Sequence, residues 1–152
     1  MFAALYDWLL LLHILAAMMW IGGITAVGAF ALRILRTREP GATGAFLRAL
    51  RVIGPLVLAP GPVLVLGMGI WMVAKQWEFD QTWIEIAFGL FAVAFLIGAA
   101  HQSRVAIAAE RASAAGDDAT ALRHLRRWAW GMAAILALLV AATWDMVFKP
   151  GL

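Results

Sequence analysis

The chain has 152 residues, of which 64% are hydrophobic and only 14% are charged, and its formal net charge is +3. Soluble domains are roughly 45–50% apolar and about 25% charged, so this composition excludes a soluble globular domain. Cysteine is absent, which excludes disulfides, thiolate metal sites and thiol catalysis. The arginines are confined to two short segments, which favours membrane topology over nucleic-acid binding.

Four apolar stretches are each long enough to cross about 30 Å of hydrocarbon, which takes roughly 20 helical residues. None of them alternates over about ten residues as a barrel strand would, and backbone groups in lipid must be satisfied within each segment. The sequence therefore predicts an all-α, four-transmembrane-helix bundle that forms a single integral membrane domain over residues 1–152. The predicted helices cover about 5–35, 46–74, 81–111 and 120–148.

The basic residues predict how the bundle is oriented. Ten arginines lie around the connections that follow the first and third helices, whereas only Lys75 and Lys149 lie at the opposite end. Seven of the eight tryptophans fall near the two predicted boundaries, as in an aromatic belt, and only Trp20 lies deep. The positive-inside rule places both arginine-rich connections in the cytoplasm and both termini outside. The predicted location is a bacterial-type inner (plasma) membrane, crossed several times.

The second predicted helix contains Pro55, Pro60 and Pro62. Each proline lacks a backbone donor and clashes with the carbonyl four residues earlier. We therefore expect Pro60-Gly61-Pro62 to kink or locally unwind the helix near mid-membrane. Such breaks persist where protein or a polar cavity satisfies the freed groups, and a simple packing kink is the alternative interpretation.

Three ionisable side chains lie within the predicted spans: His13, Glu85 and Asp145. A charge at membrane depth is costly unless it is paired, so each of them is a candidate functional residue. At 1.5 Å per residue all three fall in the outer half of the bundle. Each also has a structural interpretation: His13 bonds a carbonyl or hydroxyl across helices, Glu85 reaches outward to water, and Asp145 pairs with Lys149 one turn later.

The same residues predict an outward-opening pocket between helices 1, 2 and 3. His13 lies at its floor, and Trp20 and Trp83 form its walls together with the broken second helix. Met68 falls at nearly the depth of His13, so a soft His/Met site for copper or haem is one interpretation, and ordinary packing of Met68 is the other. His101 lies roughly 15 Å away from His13 in depth, which excludes these two histidines as a pair of axial ligands to one haem.

Four short motifs fall at the positions of motifs in one known superfamily. They are HILAAMMWIGG with His13, Trp20 and Gly23, LAPGP with Pro60-Gly61, TWIEIAF with Trp83, and Arg104-Val105. These motifs resemble those of the HemJ-type protoporphyrinogen oxidases and the related CopD-like membrane proteins. In the same order, they resemble that family's first helix, the Thr-Pro-Gly break of its second helix, the tryptophan before Leu-His-Ile-Lys, and the basic end of its third helix. Where that family has histidine and lysine on the third helix, this chain has Glu85 and Ala87. The chain is more similar to small, uncharacterised four-helix members of the same superfamily.

The resemblance implies haem- or porphyrin-linked chemistry in the membrane. Under this hypothesis haem b or a porphyrin binds between helices 1, 2 and 3, His13 is the ligand or proton acceptor, and Glu85 is a proton relay. One alternative is a non-catalytic accessory or assembly subunit of a larger membrane (respiratory) complex. The other is a copper-handling or transport protein that uses His13 and Met68. The expected partners are the lipid bilayer, further copies of the chain or that larger complex.

Overall fold

The computed structural model describes residues 2–39 and 41–151, and Met1, Pro40 and Leu152 lie outside the described residues. The described residues form long helices and no strand. The helices are α1 (Phe2–Thr37), α2 (Ala42–Gln76), α3 (Thr82–Ala114) and α4 (Asp118–Phe148). All four are long and apolar enough to cross a membrane, so the predicted four-helix fold is confirmed. The observed helices extend by a turn or less beyond the predicted ranges at most ends.

The two ends of the bundle differ in which connections they carry. We call the end of the bundle with residues 38, 39, 41 and 115–117 the arginine end. We call the end with residues 77–81, the start of α1 and residues 149–151 the terminal end. Helix α1 packs against α2 and α4, and α3 packs against α4. Helices α2 and α3 meet through their segments at the arginine end and through Val73 against Trp83 at the terminal end. A gap between α2 and α3 therefore runs through the middle of the bundle.

Helix α4 supplies most of the core. Its buried residues recur every three or four positions, which places them on one helical face. Those beyond the first turns include Leu125, Trp128, Met132, Ile135, Leu139 and Ala142. This face packs on Trp20, Ile24 and Val27 of α1. Trp128 and Trp83 are buried in the bundle, so their rings face the core rather than the lipid. The sequence placed both near the predicted boundaries, and it also predicted Trp83 as a wall of the pocket.

The break in α2 is a widened turn. A π-helical segment covers Gly54–Leu58, and the Ala59 N–H donates to the Gly54 carbonyl oxygen at 2.9 Å, five residues back. Pro60 cannot donate a backbone hydrogen bond and its ring would crowd the preceding turn, so a wider turn accommodates it. The helix then continues from Pro60 to Gln76. The expected irregularity therefore lies one turn before Pro60-Gly61-Pro62, and the chain there does not unwind.

Gly61 allows α1 and α2 to approach closely. A Cβ atom placed on Gly61 would lie 2.7 Å from both Cβ and Cγ of Trp20. Real atoms do not come so close, so any larger residue would push the two helices apart. Small residues at membrane helix interfaces serve this purpose in general.

A second π-helical segment, Ile97–Gln102, interrupts α3. A regular α-helix returns to nearly the same face after seven residues, which would place His101 inward below the buried Ala94. The wider π turn delays this return by about one residue. Gln102 is consequently buried and His101 is exposed. Nothing in the sequence predicted this shift.

Candidate functional site

His13 lies buried at the terminal half of the bundle, as predicted. The imidazole faces the backbone of α2, where a Cβ atom on Gly69 would lie 3.5 Å from His13 Cε1. Its Nδ1 atom is buried and makes no hydrogen bond of good geometry to the described residues, although the Val65 carbonyl of α2 lies near the ring. The cavity beside it has a volume of about 60 Å³ and is lined by His13, Gly69, Trp83 and Met146, among others. A volume of this size holds a few water molecules at most.

The structure brings only some of the predicted site residues together. Trp83 lines the small cavity with His13. Trp20 packs on the ring of Phe91, with centroids 5.9 Å apart, and lines a different and larger cavity. Met68 packs against the main core and lines neither cavity, and Glu85 lies on an exposed face of α3. His13 and Trp83 therefore share a space in which Glu85 and Met68 take no part.

The residues beside His13 do not fit a haem. Ligand pockets usually have volumes of about 300–1,000 Å³, several times the space found there. Among residues 2–39 and 41–151 no cluster of three or more His, Asp and Glu side chains could hold a metal ion. The predicted haem and His13–Met68 metal sites stay predictions.

Asp145 is the least exposed ionisable group of the described chain, with only 1% of its surface exposed. Neither carboxyl oxygen has a hydrogen-bond partner within the described residues. The predicted ion pair with Lys149 is wrong. Lys149 instead places Nζ 4.1 Å from the ring centroid of Trp77 and 5.3 Å from that of Trp83.

The end of α4 explains why the pair does not form. Lys149 adopts a left-handed backbone conformation with φ 44°, and its N–H donates to the Asp145 carbonyl oxygen at 2.8 Å. This conformation ends the helix and directs the lysine away from Asp145. The ammonium then lies against the rings of Trp77 and Trp83, which meet edge to face with centroids 5.2 Å apart. Such cation–π contacts are attractive.

A second, larger cavity lies at the arginine end, along the gap between α2 and α3. Its volume is about 550 Å³, it is partly open to the outside, and all four helices line it. The lining is mainly apolar and is rich in glycine and alanine, including Gly54, Ala59, Gly98 and Ala99. Trp20 and Trp128 add aromatic walls. A pocket of this size and character is suited to a small molecule.

Gln102 is the buried polar residue of this larger cavity. Its Nε2 donates to the Trp128 carbonyl oxygen at 2.9 Å, which ties α3 to α4. This bond fixes the orientation of the amide, because the opposite orientation would place two oxygens against each other. Its Oε1 lies against Gly131, where a Cβ atom would be only 2.5 Å away. Oε1 itself is buried and has no hydrogen-bond partner among the described residues, and the lack of a side chain at Gly131 leaves room for the Gln102 amide.

The fold and the cavity define an α-helical membrane protein of four spans with a partly open space between two of its helices. The chain belongs to the family described as "predicted integral membrane protein (DUF2269)", whose model matches residues 7–150. No curated protein and no solved structure matches the chain significantly. The predicted likeness to the HemJ-type and CopD-like proteins stays a prediction.

Proposed function

We propose that this protein binds a lipophilic molecule in the cavity between α2 and α3. The observation that carries the proposal is the cavity itself, about 550 Å³ in volume and lined by all four helices. Its mainly apolar lining suits a ligand that reaches it from the membrane, and the gap between α2 and α3 offers the route.

The two π-helical segments support the proposal. Gly54–Leu58 and Ile97–Gln102 lie on the two helices that flank the gap, and both contribute residues to the cavity wall. Segments of this kind occur frequently at functional sites. Here they combine with small side chains to keep α2 and α3 apart where close packing would otherwise bury the apolar faces.

A pair of glycine substitutions in α2 tests the proposal. Gly54 lines the cavity and Gly67 does not, and a Cβ atom on either glycine would meet no atom of the described residues within 4 Å. Gly54→Leu places a side chain into the cavity, whereas Gly67→Leu adds the same side chain to an exposed position. Native mass spectrometry of the detergent-purified chain should detect bound dioleoyl lipid after its addition to the wild type and to Gly67→Leu. Gly54→Leu should lose it, and equal binding by all three would contradict the proposal.

The cofactor prediction has a separate test. The observation that favours coordination is that His13 Nδ1 has no hydrogen-bond partner in the described part of the chain, but a haem there would require α1, α2 and α3 to separate. Purified protein that binds haem b through His13 should have a Soret band, and His13→Ala should lose it. A preparation that stays colourless after addition of haem would exclude the prediction.

We further infer that the arginine end faces the cytoplasm and both termini lie outside, since the arginine distribution supports this orientation. The absence of cysteine makes single-cysteine labelling clean. In intact cells a membrane-impermeant maleimide should label Glu78→Cys at the terminal end and leave Arg38→Cys at the arginine end unlabelled. The reverse pattern would invert the orientation.

A further inference from the structure

One ion pair lies at the arginine-end mouth of the larger cavity. Arg51 Nη1 contacts Glu110 Oε1 at 2.9 Å and thereby links α2 to α3. Arg51 directly follows the cavity-lining Leu50, and Glu110 lies one helical turn beyond the cavity-lining Ala106. The pair therefore spans the gap where the cavity ends, about 6 Å beyond Ala106 along the axis of α3.

The guanidinium of Arg51 is exposed enough to release the Glu110 carboxylate and bind another anion instead. Its side chain is 71% exposed and that of Glu110 is 32% exposed, and exposed ion pairs are weak. An oxygen of another anion at this mouth would compete with the Glu110 carboxylate for the same guanidinium. Arginine binds phosphate as well as carboxylate oxygens, often through two parallel hydrogen bonds.

The charges around the mouth favour an anion. The arginine end carries ten arginines, whereas the acidic residues there are Glu39, Glu110, Asp117 and Asp118. A positive surface of this kind attracts anionic headgroups at the membrane surface. The excess of positive charge thus adds to the local preference of Arg51.

The length of the cavity suits a lipid chain. On α3 its lining extends from Ala94 to Ala106, which at 1.5 Å per residue is about 18 Å. Half of a typical hydrocarbon core is about 15 Å thick. The cavity therefore extends over about the depth of one leaflet, with its mainly apolar part towards mid-membrane and the ion pair at the surface.

We infer that the ligand of this cavity is a membrane lipid with an anionic headgroup. Its chain lies in the cavity between α2 and α3, and its headgroup binds Arg51 in exchange for Glu110. This inference rests on the proposed function, because it names the class of molecule that the cavity takes.

The test compares two lipids that differ in headgroup charge. Delipidated full-length protein in detergent is mixed with dioleoylphosphatidylglycerol or dioleoylphosphatidylcholine, and native mass spectrometry measures the bound fraction. One arginine near an anionic surface changes binding about fivefold. Arg51→Gln should weaken phosphatidylglycerol binding about fivefold and leave phosphatidylcholine binding unchanged. Glu110→Gln, which removes the competing carboxylate, should strengthen phosphatidylglycerol binding.

Arg104→Gln is the control for general charge, because Arg104 is exposed and does not line the cavity. A loss equal to that of Arg51→Gln would overturn the assignment of the headgroup to Arg51, as would a Glu110→Gln variant that binds like the wild type. A third outcome is that both lipids bind equally and that Gly54→Leu binds neither. This result would overturn the assignment of an anionic headgroup to Arg51 but would still support lipid binding in the cavity. If neither lipid binds, or if Gly54→Leu binds as well as the wild type, the proposed function itself fails.

Discussion

The terminal half and the arginine half of this bundle differ in the volume of their cavities and in their buried polar side chains. The terminal half holds buried His13 and Asp145, whose Nδ1 and carboxyl oxygens have no hydrogen-bond partner among the described residues, and its cavity at His13 has a volume of only about 60 Å³. The arginine half holds a cavity of about 550 Å³ whose buried polar side chain, Gln102, donates one hydrogen bond to α4, while its Oε1 has no hydrogen-bond partner among the described residues. A ligand site needs room, and reactive chemistry needs titratable groups. The comparison therefore favours ligand binding at the arginine end. The large cavity and the buried titratable groups lie in different halves of the bundle.

The largest expected effect is a difference in the free energy of unfolding between substitutions of two glycines that lie seven residues apart on α2. Gly61 contacts Trp20 so closely that an added Cβ would clash, whereas Gly54 lies beside open space. Gly61→Leu should lower the free energy of unfolding by about 1–3 kcal/mol or more, because overpacking forces the helices apart. Gly54→Leu should change it little. Thermal unfolding in detergent, followed by circular dichroism, measures both.

Equal losses of stability in Gly61→Leu and Gly54→Leu would mean that α2 is packed as tightly at the arginine half as beside Trp20. That result would break the comparison, because the larger cavity would then be filled by protein.

Asp145 tests whether the terminal half really holds an unpartnered carboxyl group. An unpartnered buried polar group costs about 1–3 kcal/mol. Asp145→Leu should therefore raise the free energy of unfolding by about this amount, whereas Asp7→Leu at an exposed position should not. Chemical denaturation in detergent provides the measurement. If Asp145→Leu destabilises the protein instead, the carboxyl group has a partner such as a bound cation.

Lys149 tests the conformation that separates it from Asp145. A non-glycine residue in the left-handed region costs about 1 kcal/mol relative to glycine. Both Lys149→Gly and Lys149→Ala remove the contact with Trp77 and Trp83, but only glycine relieves the backbone. Lys149→Gly should therefore be more stable than Lys149→Ala by about 1 kcal/mol in thermal unfolding. Equal stabilities would argue against the left-handed end of α4.

The smallest expected effect lies outside the membrane, at the start of α4. The hydroxyl and the N–H of Thr120 bond to Asp117 and hold the pKa of its carboxyl below the usual range. The capping contribution is therefore complete above the unfolded pKa of about 3.9 and is lost as the pH falls through the lower folded value. Asp117→Asn keeps a capping oxygen without its titration, so it should flatten the decline of unfolding temperature in acid.

The matched control for this prediction is Asp118→Asn, which removes one neighbouring charge and leaves the cap in place. The unfolding temperature of this variant should follow the wild-type dependence on pH. Identical acid profiles for Asp117→Asn and Asp118→Asn would show that the cap does not titrate as described.

The sequence predicted the fold because lipid leaves few options. Four apolar stretches of sufficient length must be helices, and their existence did not depend on detailed packing. The spacing of three and four residues along α4 also extends to Asp145, so its burial was predictable from the pattern in Leu139 and Ala142. The expected ion pair was wrong because one residue, Lys149, leaves the helical conformation. Pro150 indicated that the helix ends here, since the residue before a proline is disfavoured in the α region, but it did not indicate the left-handed conformation of Lys149.

The larger cavity was not predictable for a different reason. It depends on two widened turns that shift which residues of α2 and α3 face inward. The prolines of α2 indicated the first π-helical segment, although it lies one helical turn before the expected position. No feature of the sequence indicated the second segment. Gln102 was consequently not recognised as a buried residue, and Trp128 was assigned to the membrane surface.

Carbene labelling of the protein in membranes tests most directly whether lipophilic molecules enter the larger cavity. Met132, Ile135 and Leu139 are all buried on one face of α4, but only Met132 and Ile135 line the cavity. Photolysis with trifluoromethylphenyldiazirine, followed by peptide mass spectrometry, should label Met132 and Ile135 and leave Leu139 unlabelled. No label at any of the three, or the same label at Leu139 as at Ile135, would contradict the cavity and with it the proposed function.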